Sequence, residues 1–507
     1  MKTDLLQEIH ELVKSLDKTE KRYFKLYSSF QKGDKSYLAL FDILDKQTVW
    51  DGKIILKKFL LLNQSCNFPA VKKYLFNQLV ASIKSYGAYK DLDSDHTDLI
   101  EMYKILDYKG LHGQRDRLLN KIKQLTLDDD AFARHFSVLL MEYHKEIFSP
   151  EESSADNLIR ILQERRHTLN IMDNYLWVGE IFTLQRLHLR KKLYCRSKKD
   201  RDELTKIVSP ILKSKEADML SRTALGIRNI VLCEYYLATG HFEKAFYTSK
   251  IYLELRKNAG SNDKLDMQTL NEYSQHIVIS MRSGFFDGFE ENAKQFKALI
   301  DTIHNKEKYF TAYEKWHNAM LLYYNKTGQF QNGAMFLEKE LKKNPDRDKQ
   351  FSMKSKIMCW YFSAYNLYAN RQYNKALQFI QRILTQPGND LEETAFAKLL
   401  MMYIHYDLKN YELLEYQTRS AQRFMTKKER LYKSEKLVLD FLKSVTGADS
   451  KRQRQDQLKE LQNGLTVLFK TPYEKRFSYY FDIVSWIEAS LTGKDFALTV
   501  QENNPVK

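Results

Sequence analysis

The sequence has few of the residues that interrupt helices. Its 507 residues include only 17 glycines and 7 prolines, both well below their average usage. Since these residues mark most turns and helix ends, their scarcity favours long helices joined by short connections. No stretch alternates apolar and polar residues between turn signals as a strand would, and we predict an all-α fold.

Cysteines and long apolar runs are also scarce. The four cysteines are scattered, with no CxxC pair, so neither a disulfide framework nor a zinc site is indicated. The N-terminus lacks the apolar core of a signal peptide, and no uninterrupted apolar run approaches the ~20 residues that span a bilayer. We therefore expect a cytoplasmic protein without membrane insertion.

Aromatic and basic residues, in contrast, are abundant. The chain contains 32 tyrosines and 29 phenylalanines, which are suited to filling wide gaps between helices. Lys and Arg (81) outnumber Asp and Glu (65), which gives a net charge of +16. Such an excess favours acidic partners, nucleic acid or anionic membranes, unless it is spread over solvated helix faces.

An aromatic residue beside a turn recurs at nearly constant spacing in the second half of the chain. The positions, separated by 44, 44, 43 and 38 residues, are Phe242, Phe286, Phe330, Tyr373 and Tyr411. A period of this size is typical of stacked arrays in which each unit is one helical hairpin. Gly240 and Gly328, two residues before an aromatic, are suited to the left-handed conformation that ends a first helix.

Beyond residue 97, apolar helices are predicted in pairs. The first helices of successive pairs are placed at 98–109, 129–148, 173–195, 217–238, 266–283, 307–326, 348–369, 391–408, 427–446 and 473–491. The predicted regions are an N-terminal helical head or capping region (1–97), irregular helical hairpins (98–216), the repeats (217–425) and C-terminal helical hairpins with a cap (426–507). Within the head, Asp17 and Glu20 have the spacing of a helix-capping box.

The repeats resemble the tetratricopeptide repeat (TPR) family. The unit around Phe242 is similar to the family pattern at Leu232, Tyr236, Gly240, Phe242 and Ala245. Two further units are similar at Tyr324, Gly328, Phe330 and Pro345, and at Trp360, Ala364, Tyr373 and Ala376. The resemblance implies a right-handed α-α superhelix, a TPR-like solenoid, although these units are about ten residues longer than the family's ~34.

The same resemblance implies a concave groove lined by the first helix of each hairpin. Carrying the family's groove positions onto this chain gives Lys315, Asn318, Leu322, Asn325, Lys326, Tyr361, Tyr365, Tyr368, Tyr403 and Tyr406. Lys and Asn could hold a peptide's carboxylate or backbone, and tyrosines offer contact area at low entropy cost. The alternative is that the longer helices turn these residues into ordinary packing between helices.

The densest basic stretch lies before the repeats. We call it the basic cluster, and its members are Arg186, Arg190, Lys191, Lys192, Arg196, Lys198 and Lys199. It could neutralise several phosphates and bind nucleic acid with salt-sensitive affinity. The alternative is a solvated helix end whose cations complement the helix dipole.

No catalytic, cofactor or metal motif stands out. The stretch from Gly464 to Thr471 has Phe469 where a phosphate-binding loop needs its second glycine, and neither HExxH nor a nucleophile elbow occurs. We therefore expect a non-catalytic scaffold or adaptor without a cofactor, whose partner is a protein or peptide. The alternative is a basic helical-repeat protein that binds nucleic acid or acts as a regulator.

Overall fold

The structure is a computed structural model, and it describes residues 4–30, 35–63, 66–86, 92–128, 130–148, 154–191, 195, 197–258, 267–303, 305–386, 392–427, 431–447, 450–471, 474 and 477–504. These residues form α-helices and short 3₁₀ turns, and no β-strand occurs among them. The all-α prediction is confirmed. Contacts divide the chain into two compact units, Met1–Thr168 and Leu169–Lys507.

The first unit has an apolar core of its own beneath its first five helices, where Phe24, Leu40 and Phe59 are fully buried. The helices that lie wholly within this unit's described residues are α1 (Leu5–Ser15), α2 (Lys18–Ser29), α3 (Ser36–Lys46), α4 (Gly52–Leu62), α5 (Phe68–Tyr86), α6 (Leu92–Tyr108), α7 (His112–Asp128) and α8 (Phe132–Phe148). The predicted capping box at Asp17 and Glu20 is present and fixes the start of α2.

One helix, α9 (Ala155–Lys191), is 37 residues long. The predicted start of a separate helix at residue 173, in the range 173–195, is therefore wrong. No proline or turn signal interrupts the stretch, and a single glycine, Gly179, costs a helix about 1 kcal/mol without breaking it.

The second unit is built mainly from pairs of consecutive helices. After α9 they are α10 (Lys198–Lys213), α11 (Arg222–Ala238), α12 (Phe242–Asn258), α13 (Met267–Ser283), α14 (Phe289–Asp301), α15 (Lys306–Lys326), α16 (Phe330–Lys343), α17 (Met353–Ala369), α18 (Tyr373–Leu384), α19 (Glu392–Asp407), α20 (Tyr411–Lys427), α21 (Lys433–Ser444), α22 (Lys451–Leu468), α23 (Phe477–Tyr480), α24 (Ile483–Thr492) and α25 (Phe496–Asn503). We call α11–α20 the hairpin array. Within it the first helices also pack on one another, α11 on α13, α13 on α15, α15 on α17 and α17 on α19.

The five turns of the hairpin array share one backbone conformation. The residue two places before each repeated aromatic has a positive φ, and these residues are Gly240, Gly284, Gly328, Arg371 and Lys409. In four turns the next N–H donates to the carbonyl five residues earlier, at 2.8–2.9 Å, which satisfies a carbonyl at the helix end. The second helix begins at the aromatic in those four hairpins and at Phe289 in the remaining one. The predicted hairpin period is confirmed.

The last predicted helix, 473–491, is wrong as one continuous element. The chain leaves the helical conformation at Phe481 and Asp482, between α23 and α24. The cause is local, because the Asp482 carboxylate accepts from the backbone N–H of Ser485 at 3.1 Å and so begins a new helix. We call residues 477–504, which include α23, α24 and α25, the C-terminal segment.

Candidate functional site on the tyrosine face

Five of the tyrosines predicted to line a groove lie together on two neighbouring first helices. Tyr361, Tyr365 and Tyr368 project from α17, and Tyr403 and Tyr406 project from α19. Their spacing along each helix places them on one side, and we call this surface the tyrosine face. All but the half-buried Tyr406 are buried, because the C-terminal segment covers them.

The tyrosine face holds the main chain of the C-terminal segment at the junction between α23 and α24. The Tyr361 hydroxyl donates to the carbonyl of Tyr480 at 3.0 Å. The Tyr365 hydroxyl accepts from the backbone N–H of Asp482 at 3.3 Å. A buried main-chain group without a partner is costly, so these two bonds let the segment bend between its helices while it stays buried.

Lys326, the last residue of α15, contributes to the same contact. Its ammonium donates to the carbonyl of Ser478 and lies 5.9 Å from the centre of the Tyr479 ring. Burial of the ammonium lowers the pKa of Lys326 to about 8, against the opposing charge of Asp482. The residue as a whole is only half buried.

Two aromatic side chains of the C-terminal segment fill adjacent places on the tyrosine face. The Phe481 ring lies 4.4 Å from the Tyr403 ring, stacked on it, and 5.1 Å from that of Tyr365. The Trp486 indole lies 5.0 Å from the Tyr403 ring and 5.3 Å from that of Tyr406. Both side chains are buried, and such pairs add to the free energy gained by burying their area.

A chain of hydrogen bonds fixes the direction of the tryptophan. The indole N–H of Trp486 donates to the Tyr368 hydroxyl at 2.8 Å, and that hydroxyl donates to the Asp407 carboxylate, also at 2.8 Å. Burial, with the Asp407 charge beside it, raises the pKa of Tyr368 well above its usual value, so the hydroxyl keeps its proton. Burial raises the pKa of Asp407 to about 6 although hydrogen bonds from Tyr368 and Tyr373 oppose the shift.

The end of the C-terminal segment packs on the turn between α15 and α16. The Gln501 side-chain amide donates to the Gly328 carbonyl at 2.9 Å, and the Phe496 ring stacks 5.7 Å from that of Phe330. A Cβ at Gly328 would lie 2.8 Å from the Ala497 carbonyl oxygen. The glycine therefore serves both the left-handed turn (φ 69°) and this close approach.

The remaining residues predicted for the groove lie between helices. Asn318 and Asn325 on α15 donate to the backbone carbonyls of Ser355 and Phe362 on α17, at 3.0 and 2.9 Å. Both asparagines are buried, as is Leu322. Lys315 donates to the Ser274 hydroxyl at 3.1 Å, and burial lowers its pKa. Asn318, Asn325 and Leu322 are therefore packed between helices in this structure.

Sequence reasoning missed the partner of the asparagines. Asn366 on α17 donates to the Asn325 side-chain carbonyl at 2.9 Å, which joins the two helices beneath the tyrosine face. A Cβ at Gly333 would lie 2.1 Å from the Asn366 amide nitrogen, which explains why this hairpin has glycine three residues after its aromatic, where two other hairpins have Ala245 and Ala376. Gly333 itself indicated a close approach at this position, but the sequence does not reveal that the approaching side chain, Asn366, comes from the next hairpin.

The basic cluster is only partly described. Lys192 and Arg196, together with the side chain of Lys191, lie outside the described residues. Arg186 pairs with the buried Glu234 at 3.7 Å and lies over the Phe182 ring. The other three members, Arg190, Lys198 and Lys199, are exposed and form no ion pair with any described residue.

Three further features concern metal sites, membrane-spanning helices and similarity to known proteins. Within the described parts of the chain, no group of three or more His, Cys, Asp or Glu side chains could hold a metal ion. None of the described helices combines the length and the apolar character needed to cross a membrane. Searches against protein-family models, curated proteins and solved structures find no match to this chain.

Proposed function

We propose that this chain is a non-catalytic scaffold or adaptor of TPR-like helical hairpins that binds a protein segment on its tyrosine face. The observation that carries the proposal is the manner in which the face holds the C-terminal segment. Tyr361, Tyr365 and Lys326 bond to main-chain atoms of residues 478–482, while the rings receive Phe481 and Trp486. Main-chain bonds combined with side-chain pockets are the usual means of peptide recognition.

The array geometry supports the scaffold part of the proposal. The five equivalent turns and the row of first helices agree with a repeat that stacks by burying one hairpin's face on the next. In our proposal this stacking continues into a right-handed superhelix, with the tyrosine face on its concave side. The four cysteines are scattered, without a CxxC pair, which agrees with the reducing compartment, such as the cytoplasm, that the proposal assumes.

A partner has to compete with the C-terminal segment. A tethered segment has an effective concentration of about 1 mM. A partner at micromolar concentration must therefore bind the face roughly 1,000-fold more tightly than the segment does, or bind when the segment has opened. Binding to the native protein is therefore expected to be weak unless the segment is loosened. This sets the design of the test.

The test uses the full chain with Phe481→Ala and Trp486→Ala, which we call the undocking variant, and a fluorescent synthetic peptide of residues 474–504. We expect the variant to bind the peptide with saturable anisotropy, and the unsubstituted protein to bind it at least tenfold more weakly. Leu498→Ala, at an exposed position of α25, is the matched control and should behave like the unsubstituted protein. If the undocking variant retains hydrogen-exchange protection in α15, α17 and α19 but does not bind the peptide, the proposal fails.

A second candidate function, binding of nucleic acid by the basic cluster, is favoured by one observation. Lys198 and Lys199 lie in the first turn of α10, where the helix dipole does not favour cations. Stabilisation of a helix end therefore explains Arg190, near the end of α9, but not these two lysines. Retention on an RNA or DNA column that weakens steeply with salt is expected for this function, and absent or salt-insensitive retention counts against it.

A further inference from the structure

The C-terminal segment presents a short pattern to the tyrosine face. We infer that the face selects protein segments in which an aromatic residue and an aspartate are followed, four residues after the aspartate, by tryptophan. In this chain the pattern is Phe481, Asp482 and Trp486, and the partner we infer carries the same pattern at the start of a helix. The inference rests on the proposed function and names the chemistry of its partner.

The aspartate sets the geometry of the pattern. The Asp482 carboxylate accepts from the Ser485 backbone N–H at 3.1 Å and from its hydroxyl at 2.8 Å, while its own N–H donates to Tyr365. The bond from the Ser485 N–H caps the start of α24, and Phe481 and Asp482 lie outside the helices on either side. Trp486 then follows one turn into the helix, since residues four apart share a face.

The pocket that holds Trp486 offers one hydrogen-bond acceptor and is otherwise lined by aromatic rings. The rings of Tyr403, Tyr406 and Phe441 surround the indole, at 5.0, 5.3 and 6.3 Å between centres. Only a side chain with a donor at this position can bond to the Tyr368 hydroxyl, whose own proton is directed at Asp407. Phenylalanine would fill part of the volume and leave that acceptor without its donor, so the place favours tryptophan.

The chain's own segment does not satisfy every group on the face. The Tyr403 ring contacts both Phe481 and Trp486, and its hydroxyl is buried without a hydrogen-bond partner among the described residues. A buried hydroxyl without a partner costs stability. A partner segment that brings an acceptor to this hydroxyl therefore gains an advantage over residues 477–504, which helps it to compete.

The experiment measures a panel of peptides against the undocking variant. The peptides span residues 474–504 and carry the native sequence, Trp486→Phe, Asp482→Ala or a scrambled order. We expect about tenfold weaker binding with Trp486→Phe, about fivefold weaker binding with Asp482→Ala and no binding of the scrambled peptide. Adding Tyr368→Phe to the undocking variant should remove the preference for tryptophan over phenylalanine.

The outcomes separate this inference from the proposed function. Equal affinity of the native, Trp486→Phe and Asp482→Ala peptides overturns the inferred selectivity and leaves segment binding intact, whereas absence of binding by every peptide overturns both. If the undocking variant loses its helical protection, Gly328→Ala replaces it as the host, since this substitution loosens the far end of the segment and leaves both aromatic places unchanged. The peptides are then expected to bind this variant in the same order of affinity.

Discussion

The tyrosine face lies beneath another part of the chain, whereas the described members of the basic cluster remain largely in solvent. Both regions consist of side chains at helical spacing, yet burying these side chains has opposite effects on the free energy. A tyrosine gains free energy from its ring when its hydroxyl finds a partner, as Tyr361, Tyr365 and Tyr368 do. A lysine or arginine loses hydration that only well-placed partners restore. Lys326, whose burial lowers its pKa, shows this cost on the tyrosine face itself.

An aromatic pattern that is suited to binding is not necessarily exposed on the surface. An aromatic row is attractive to any apolar segment, including one from the same chain 117 or 118 residues away, as in the Tyr365–Asp482 and Tyr368–Trp486 bonds. A basic row attracts only acidic partners, and the chain has fewer acidic than basic residues to offer. The following predictions test how far this difference holds.

Trp486→Ala should give the largest effect. Removing a buried indole from the tyrosine face is expected to lower the free energy of unfolding of the second unit by about 3–5 kcal/mol. Denaturant titration with hydrogen-exchange mass spectrometry can follow this unit separately. Leu498→Ala, 57% exposed on the same segment, should change it by less than about 0.5 kcal/mol. Equal effects of the two variants would mean that the segment is not docked on the face.

Gly328→Ala and Gly284→Ala form a matched pair. Both glycines have a positive φ, 69° and 77°, so both variants pay a similar cost of about 1 kcal/mol for the left-handed conformation. Only at Gly328 does the new Cβ meet the C-terminal segment, since nothing lies within 4 Å at Gly284. Gly328→Ala should therefore cost about 1–3 kcal/mol more and speed hydrogen exchange in α25. Indistinguishable thermal midpoints and exchange rates would contradict this contact.

Tyr368→Phe and Tyr403→Phe should differ although both remove one buried hydroxyl. The first removes two hydrogen bonds and leaves the Trp486 indole without its acceptor, which is expected to cost about 1–3 kcal/mol. The second removes a hydroxyl that has no partner among the described residues, so it should be neutral or stabilising. Chemical denaturation of the two variants side by side measures the difference. A larger loss for Tyr403→Phe would refute the hydrogen-bond assignment.

The docking of the segment should strengthen as pH rises through about 8. The folded pKa of Lys326 is about 8, below its ordinary 10.5, so between these values the unfolded chain binds more protons and the free energy of unfolding rises with pH. Hydrogen exchange in α24, corrected for its intrinsic pH dependence, should become relatively slower from pH 7.5 to 9. Lys326→Met removes the titrating group and should flatten this trend. A trend that persists in Lys326→Met would exclude this lysine as its source.

Neutralising the exposed part of the basic cluster should have the smallest effect on stability. Arg190→Gln, Lys198→Gln and Lys199→Gln break no ion pair with a described residue, so each is expected to change the free energy of unfolding by at most about 0.5 kcal/mol. If the cluster binds nucleic acid, the triple variant should have a shallower slope of log affinity against log salt concentration. The decrease should correspond to the loss of up to about three phosphate contacts. A loss of stability comparable to that of Trp486→Ala would remove the contrast between the two regions.

The sequence predicts the local features of the array well. The repeated aromatics mark the first residues of α12, α16, α18 and α20, because the left-handed turn and the start of the next helix depend on neighbouring residues. Arg371 and Lys409 adopt the same positive φ without being glycine, so the period was more informative than the residue type at the turn.

The candidate site was only partly predictable. The helical spacing of the tyrosines indicates a shared face, but what covers that face depends on contacts more than a hundred residues apart. Asn318 and Asn325 donate to carbonyls of the next first helix, α17, and a one-dimensional pattern does not reveal which side of α15 faces that helix. The break at Asp482 was readable in principle, as aspartate is a strong helix N-cap, but the surrounding apolar residues favoured one helix.

A double-mutant cycle between Tyr368 and Trp486 determines whether the C-terminal segment occupies the tyrosine face. The free energies of unfolding of the second unit are measured for Tyr368→Phe, Trp486→Phe and the combination. We expect a coupling energy of about 1 kcal/mol or more between the two positions, as found for residues that share a hydrogen bond. Additive effects, within about 0.3–0.5 kcal/mol, would show that the indole does not lie on Tyr368 and that the segment is not docked there.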